Sequence, residues 1–248
     1  MNLFSRIGAF LEKFLYNPKW RCISCGKEIF DDNSYFCEAC KEKLPIREGA
    51  ICAHCGRETV APVEYCDTCK GRLTAIDKGR NAFEYDKPIS GLIKRAKYGG
   101  EKYILTALAD YLSLVYFKNY FAADVIVYVP MTKKAERKRG YNHGKVLAEK
   151  TSEIVGVPVL DCLEKTRETK RQAKLNAESR KKNLIGAFKV TDKRAAENKT
   201  VLIIDDVTTT GATGEAVAEA LKKAGASSVL LLTVAAVSFF KNKRTVKK

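Results

Sequence analysis

An apolar run, Val201 to Ile204, ending on two adjacent acids, Asp205 and Asp206, constrains this 248-residue chain more than any other feature. Four consecutive aliphatic residues suit a strand buried on both faces, and such strands belong in parallel sheets covered by helices on each side. The run delivers the two acids to the strand's carboxyl end. A loop of small residues follows, Thr208-Thr209-Thr210-Gly211-Ala212-Thr213-Gly214, and Glu215 to Ala224 continues as an amphipathic helix. Glycine lets the backbone approach a ligand, threonine hydroxyls donate hydrogen bonds, and a helix start presents N–H groups to an anion. Two carboxylates beside such a cradle suit the neighbouring hydroxyls of a sugar, or its Mg²⁺. A strand–turn–helix with a merely polar elbow is the plainer alternative. The paired acids, four hydroxyl residues, two glycines and apolar strand occur together, which favours a phosphorylated-sugar site. Neither the GxGxxG fingerprint nor the GxxxxGK[ST] loop occurs in this turn.

Other segments repeat the alternation of strand and helix. Strands are expected at Gly79 to Tyr85, Val125 to Val129, Val157 to Leu160 and Ser228 to Val237. Helices are expected at Ile89 to Tyr98, Glu101 to Phe117 and Asn142 to Val155. The series predicts an α/β fold, a parallel sheet with helices on both faces and ligands at the strands' carboxyl ends.

Eight of the nine cysteines form four CxxC pairs: Cys22/Cys25, Cys37/Cys40, Cys52/Cys55 and Cys66/Cys69. Two such knuckles complete a four-thiolate shell for one tetrahedral ion. The strict spacing, and a chain without a convincing secretion signal, favour two structural zinc ions over disulfides. Sequential pairing of the knuckles is preferred, since 11 or 10 residues separate the members of each pair, about a hairpin's length; an interleaved cross-brace is the alternative. His54, inside the third knuckle, reads as a surface histidine, and lone Cys162 as a core thiol. The organisation expected is an amphipathic helix at 1–20, a double zinc ribbon at 21–72, the α/β domain at 73–240 and a basic tail at 241–248.

Net charge is +16, and residues 133–194 hold 18 Lys/Arg against 8 Asp/Glu, so an anionic partner is expected. Within that stretch Arg137 and Arg139 follow the strand at Val125 and could give bidentate contacts to pyrophosphate. The segment from Arg167 to Asn183 could order as a lid over an anion or be a plain exposed connection. Lys94, Lys97 and Tyr98 could face the same site. The N-terminal helix is expected to dock on the protein itself, with membrane-surface attachment the less favoured reading. A cytoplasmic location is expected.

The loop at Asp205 resembles the phosphoribosyl-pyrophosphate motif of type I phosphoribosyltransferases. That resemblance implies ribose and metal contacts for Asp205 and Asp206, and phosphate contacts for Thr208, Thr209, Thr210, Gly211, Ala212 and Thr213. A wider set of segments resembles the ComF family of competence-associated proteins, also called GntX-like. It comprises the CxxC region, Lys97-Tyr98-Gly99-Gly100, Val129-Pro130, Arg137, Arg139-Gly140-Tyr141-Asn142, Arg167, Thr169, Gln172, Leu175, Arg180, Asn183 and the acidic loop. His143 departs from that family's usual glutamine and receives no role. The resemblance implies a phosphoribosyltransferase-like domain preceded by zinc ribbons, binding 5-phosphoribosyl 1-pyrophosphate with Mg²⁺. For some members it also implies a part in DNA uptake, single-stranded DNA binding and partnership with a helicase-like competence ATPase. A non-catalytic DNA-binding factor is the alternative, with Tyr35, Phe36, Tyr65 and Tyr98 as stacking candidates. Turnover is left open by the sequence.

Overall fold

The computed structural model describes residues 20–30, 34–67, 69–70, 74–169 and 183–238. The expected helix at 1–20 (Trp20 apart), most of the segment 167–183 and the tail at 241–248 lie outside the described residues. The chain divides into two compact units, Met1–Leu44 and Pro45–Lys248.

The first unit is organised by its knuckles. The Cys22 N–H donates to the Lys27 carbonyl at 2.8 Å, and the Gly26 N–H donates to the Cys22 carbonyl at 2.8 Å. The reversal passes through Gly26 at φ 76°, a left-handed conformation costly for residues with a Cβ. Among the described residues its buried apolar set is Cys22, Ile23, Ile29, Phe36 and Leu44, a small core of the kind that a structural metal supplements.

The second unit begins with the same device. Here the Cys52 N–H donates to Arg57 O at 2.8 Å and the Gly56 N–H to Cys52 O at 2.9 Å. Next come β1 (Lys78–Glu84), α1 (Ile89–Tyr98), α2 (Tyr103–Lys118), β2 (Val125–Tyr128), α3 (Lys133–Arg139) and α4 (His143–Val155). The chain continues through β3 (Leu163–Lys165), β4 (Phe188–Val190), β5 (Thr200–Thr208), α5 (Ala212–Lys223) and β6 (Ser228–Ala236). The main sheet has the order β1-β6-β5-β2 and is parallel throughout, as the apolar runs predict. On one face Val201 and Ile203 of β5 pack with Val217, Ala218 and Leu221 of α5. Helices α2 and α4 pack on each other, with α2 against β6 and α4 against β5 and β2.

Three expectations are corrected. Val157 to Leu160 is not a strand: it makes a single parallel bridge, Val159 with Ile126, beside β2. Pro158 has no N–H to offer a ladder, which suits an edge and not a full strand. Leu163–Lys165 and Phe188–Val190 pair antiparallel as a small separate sheet that three-residue runs could not announce. Strand β5 runs past the acids, because Val207 and Thr208 still pair with Ala235 and Ala236.

The second ribbon meets β1 backbone to backbone. The Gly79 N–H donates to His54 O at 2.6 Å. A Cβ on Gly56 would stand 2.5 Å from Gly79 O. The buried Arg47 guanidinium adds a polar tie, donating to Asn81 Oδ1 at 3.0 Å and Ala236 O at 3.2 Å, and meeting Glu58 at 3.4 Å.

Candidate functional site

The two acids sit in the second half of β5, where alternation sends neighbouring side chains to opposite faces. Asp206 is buried, and its Oδ2 lies 2.6 Å from His143 Nε2 and in contact with the Lys97 ammonium. Lys97 comes from the last turn of α1, and His143 is the first residue of α4. Behind His143 stands Arg139, the last residue of α3, with Nη1 2.8 Å from His143 Nδ1. A guanidinium only donates, so His143 accepts at Nδ1 and presents Nε2–H to the carboxylate. Asn142 fixes the ring's position by capping α4, its Oδ1 accepting from Gly144 N at 2.9 Å and Lys145 N at 3.3 Å.

The two acids have opposed electrostatics. Burial pushes the Asp205 carboxyl up, and the Asp206 charge adds to it, to about 7 against the pull of Lys97 and Lys165. Burial would raise Asp206 as well, but His143 and Lys97 outweigh it and hold that carboxyl well below the usual range. Asp205 Oδ1 also accepts the Asp206 N–H at 2.8 Å. From the small sheet, Lys165 is buried enough to depress its own ammonium, with Glu168 and Asp205 acting in the other direction. His143, Asp205 and Asp206 each offer one atom within 4.8 Å of the others, a set that could hold a cation.

The loop after Asp206 turns through Gly211 at φ 83°, which caps α5. Thr210 Oγ1 accepts from Ala212 N at 3.4 Å, so the hydroxyl loop lies over a helix start. The positive end of the helix dipole there favours an anion.

The cysteines group sequentially. Cys22, Cys25, Cys37 and Cys40 bring one sulfur each within 4.8 Å of the others, and so do Cys52, Cys55, Cys66 and Cys69. Cys25 and Cys37 sulfurs are 3.7 Å apart, and those of Cys55 and Cys66 3.8 Å. Four thiolates about 2.3 Å from a tetrahedral zinc stand about 3.8 Å from one another, so the spacing fits. Without a metal such clustering is unfavourable for ionisation: burial pushes Cys55 to about 11, and the Cys52 and Cys66 charges add to it. A bound Zn²⁺ reverses that, so both tetrads are zinc sites of structural type.

Comparison with known proteins returns two family models. A double zinc ribbon domain model matches residues 11–70, and a phosphoribosyl transferase domain model matches residues 141–248. Competence protein F of Haemophilus influenzae is 28% identical over 217 residues, covering 85% of this chain and 94% of its own length. Competence protein ComFC of Bacillus subtilis is 26% identical over 230 residues, covering 90% and 91%. Over most of its length the chain is thus similar to proteins named for competence. The DNA utilization protein YhgH of Escherichia coli is a further relative, 28% identical over 213 residues and covering 78% and 93%.

Within this chain the residues expected at the site separate into those that converge and those that do not. Asp205, Asp206, Arg139 and Lys97 converge, with the stretch Thr208 to Thr213 next in sequence. Arg137 does not join them: it is exposed, about 200° round α3 from Arg139. Lys94 is exposed on α1. The aromatic set also divides. Phe36 is core at 3% exposure, whereas Tyr98 is 76% exposed, with the Arg139 guanidinium 5.2 Å from its ring centre. Cys162 is buried as expected. His54 is half-buried instead of on the surface, its Nε2 2.7 Å from Thr74 Oγ1. Its burial moves the ring away from protonation.

His143 is the residue that sequence reasoning passed over. Its signal was positional. It lies four residues after Arg139 and one after a capping asparagine, at the start of a helix that leaves the sheet's carboxyl edge.

Proposed function

We propose that this chain, which resembles the ComF family, binds 5-phosphoribosyl 1-pyrophosphate together with Mg²⁺. The observation that carries the reading is the convergence of Lys97, His143 and Arg139, from three helices, on the Asp205–Asp206 pair. Such a cluster suits a sugar with hydroxyls for the acids, a 5′-phosphate for Thr208 to Thr213 and a pyrophosphate for the cations. Mg²⁺ would be held by Asp205 and Asp206 and would neutralise the ligand's phosphates. Lys97 and His143, both in contact with Asp206, would stand beside the bound ligand and metal. Positive charge developing at the anomeric carbon would be stabilised by the acids, which makes phosphoribosyl transfer the chemistry for which the pair is suited. Calorimetric titration with the pyrophosphate ligand, with and without Mg²⁺, tests the assignment. Asp205→Asn combined with Asp206→Asn should abolish the Mg²⁺-dependent heat, and an unchanged isotherm would remove these residues from the site.

A second reading, single-stranded nucleic-acid binding, is favoured by exposed Tyr98 beside Arg139 and by the net charge of +16. Tyr98→Ala should then weaken binding of an oligonucleotide severalfold, and raised salt should weaken it steeply. Equal binding by variant and wild type would dismiss the stacking role. A competence ATPase as partner belongs with this reading.

A further inference from the structure

One ring nitrogen of His143 is met by a donor where a metal-binding histidine has an acceptor. Its Nδ1 lies 2.8 Å from Arg139 Nη1, and its Nε2 lies 2.6 Å from Asp206 Oδ2. A guanidinium has no lone pair to offer, so the contact forms only with Nδ1 bare and the proton on Nε2. A proton on Nδ1 would set two N–H donors against each other, and flipping the ring would turn carbon atoms toward both partners. The arrangement is built into the fold. Arg139 closes α3 and His143 opens α4, with Gly140 turning the chain between them at φ 86°. The Arg139 guanidinium is held from the side, 5.2 Å from the Tyr98 ring centre, and its Nη1 stands 3.7 Å from Met131 Sδ. Asn142 secures the start of α4 by its cap, and its Nδ2 donates to Val129 O at 3.4 Å.

A histidine that ligates a metal has the opposite pattern. Its bare nitrogen faces the ion, and its N–H faces a carboxylate, a carbonyl or water. The difference bears on the cluster of His143, Asp205 and Asp206, which bring one atom each within 4.8 Å of the others. With the imidazole among the ligands, such a cluster would favour a borderline transition ion. With the carboxylates alone it suits a hard cation that takes oxygen ligands. Ligation through Nε2 would move the proton to Nδ1, directly against Arg139. We propose that Arg139 sets the metal preference of the acid pair, by holding His143 as a hydrogen-bond donor and so keeping the imidazole off the ion. Arg139 is then a positioning residue that acts through His143, in addition to any contact it makes with pyrophosphate. The proposal rests on the reading of Asp205 and Asp206 as a metal site; the tautomer of His143 stands on the Arg139 contact by itself.

Calorimetry on the full, zinc-loaded chain with Mg²⁺ and with Co²⁺ tests it, since Co²⁺ takes imidazole readily while thiolate tetrads keep zinc. Arg139→Met retains a long side chain and removes the donors. It should raise the preference for Co²⁺ over Mg²⁺ by roughly tenfold or more. Adding His143→Gln to that variant should abolish the gain, because the gained ligand is the ring. An equal gain for both metals in Arg139→Met would show that only a positive charge was lost, and would overturn the proposal. A fall in Co²⁺ preference in His143→Gln alone would show that the ring already ligates beside Arg139, and would overturn it too. Nitrogen NMR with isotope-labelled histidine needs no variant, and His54 is the one other histidine to assign. The wild type should carry the His143 proton on Nε2 with and without excess Zn²⁺; a proton on Nδ1 overturns the proposal whatever the metals do. No heat from either metal in wild type or variant overturns the metal reading of the acids and the proposal with it, while NMR still reads the tautomer.

Discussion

Asp205 and Asp206 are adjacent in sequence but have opposite surroundings, and each has a different consequence for stability. Asp205 is pushed up to about 7 by burial and by its neighbour's charge, well above the ~3.9 of an unfolded chain. Folding therefore favours its protonated form. Its contribution is fully present below about pH 4 and is lost as pH rises through about 7. Asp205→Asn, uncharged throughout, should gain on the wild type by about 2 kcal/mol between pH 5 and pH 8, read by urea unfolding. A constant difference across that range would show that the repulsion is not felt. Asp206 runs the other way, since its depressed carboxyl stabilises above the unfolded value and loses that only in acid. Arg47 supplies a second test at this scale. Its side chain is 5% exposed and meets Glu58 and Glu84. Arg47→Ala would remove the buried guanidinium that offsets the charge of both carboxylates and should cost about 3–5 kcal/mol of unfolding free energy.

At the scale of elements, much of the fold was legible because burial on both faces leaves unbroken apolar runs. Val125 to Val129, Val201 to Ile204 and Ser228 to Val237 announced β2, β5 and β6 for that reason, and Ile89–Tyr98 matched its helix end for end. Elements with short or one-sided burial gave no such mark, so the β3–β4 pair was missed and an edge segment with a proline was read as a strand. The acids, the threonine loop and the knuckles were legible as local patterns. His143 and Lys97 took their places through contacts between helices distant in sequence, which no local spacing records. The seam of ribbon and β1 was equally silent, because its two residues are glycines far apart in sequence, one in a knuckle and one in β1. Gly56→Ala tests it: φ is 68° and the new Cβ would meet Gly79 O at 2.5 Å. A loss of about 1–3 kcal/mol is expected in thermal or urea unfolding of the second unit, and a neutral substitution would mean that the seam adjusts freely.

Across the whole molecule, the two tetrads have unequal settings. One lies in the unit that ends at Leu44 and the other shares a unit with the parallel sheet. Metal analysis of the purified chain should return two zinc ions per molecule. Cys25→Ser should leave the sheet's unfolding transition in place while removing one ion. Cys55→Ser should lower the transition by several degrees, because the second ribbon packs on β1. Equal responses would show that the two tetrads matter alike to the sheet.

The division after Leu44 also says where the chain can be cut. A fragment starting at residue 73, the boundary suggested by the change in sequence pattern, would lack Arg47 and the Gly56 side of the seam. It would expose the edge of β1 that now bonds to Arg47 N and Pro45 O. A fragment starting at Pro45 would keep that covering and one of the metal sites. A shorter piece would thus be the less tractable reagent, and the bench dissection of this protein should leave the second ribbon on the parallel sheet.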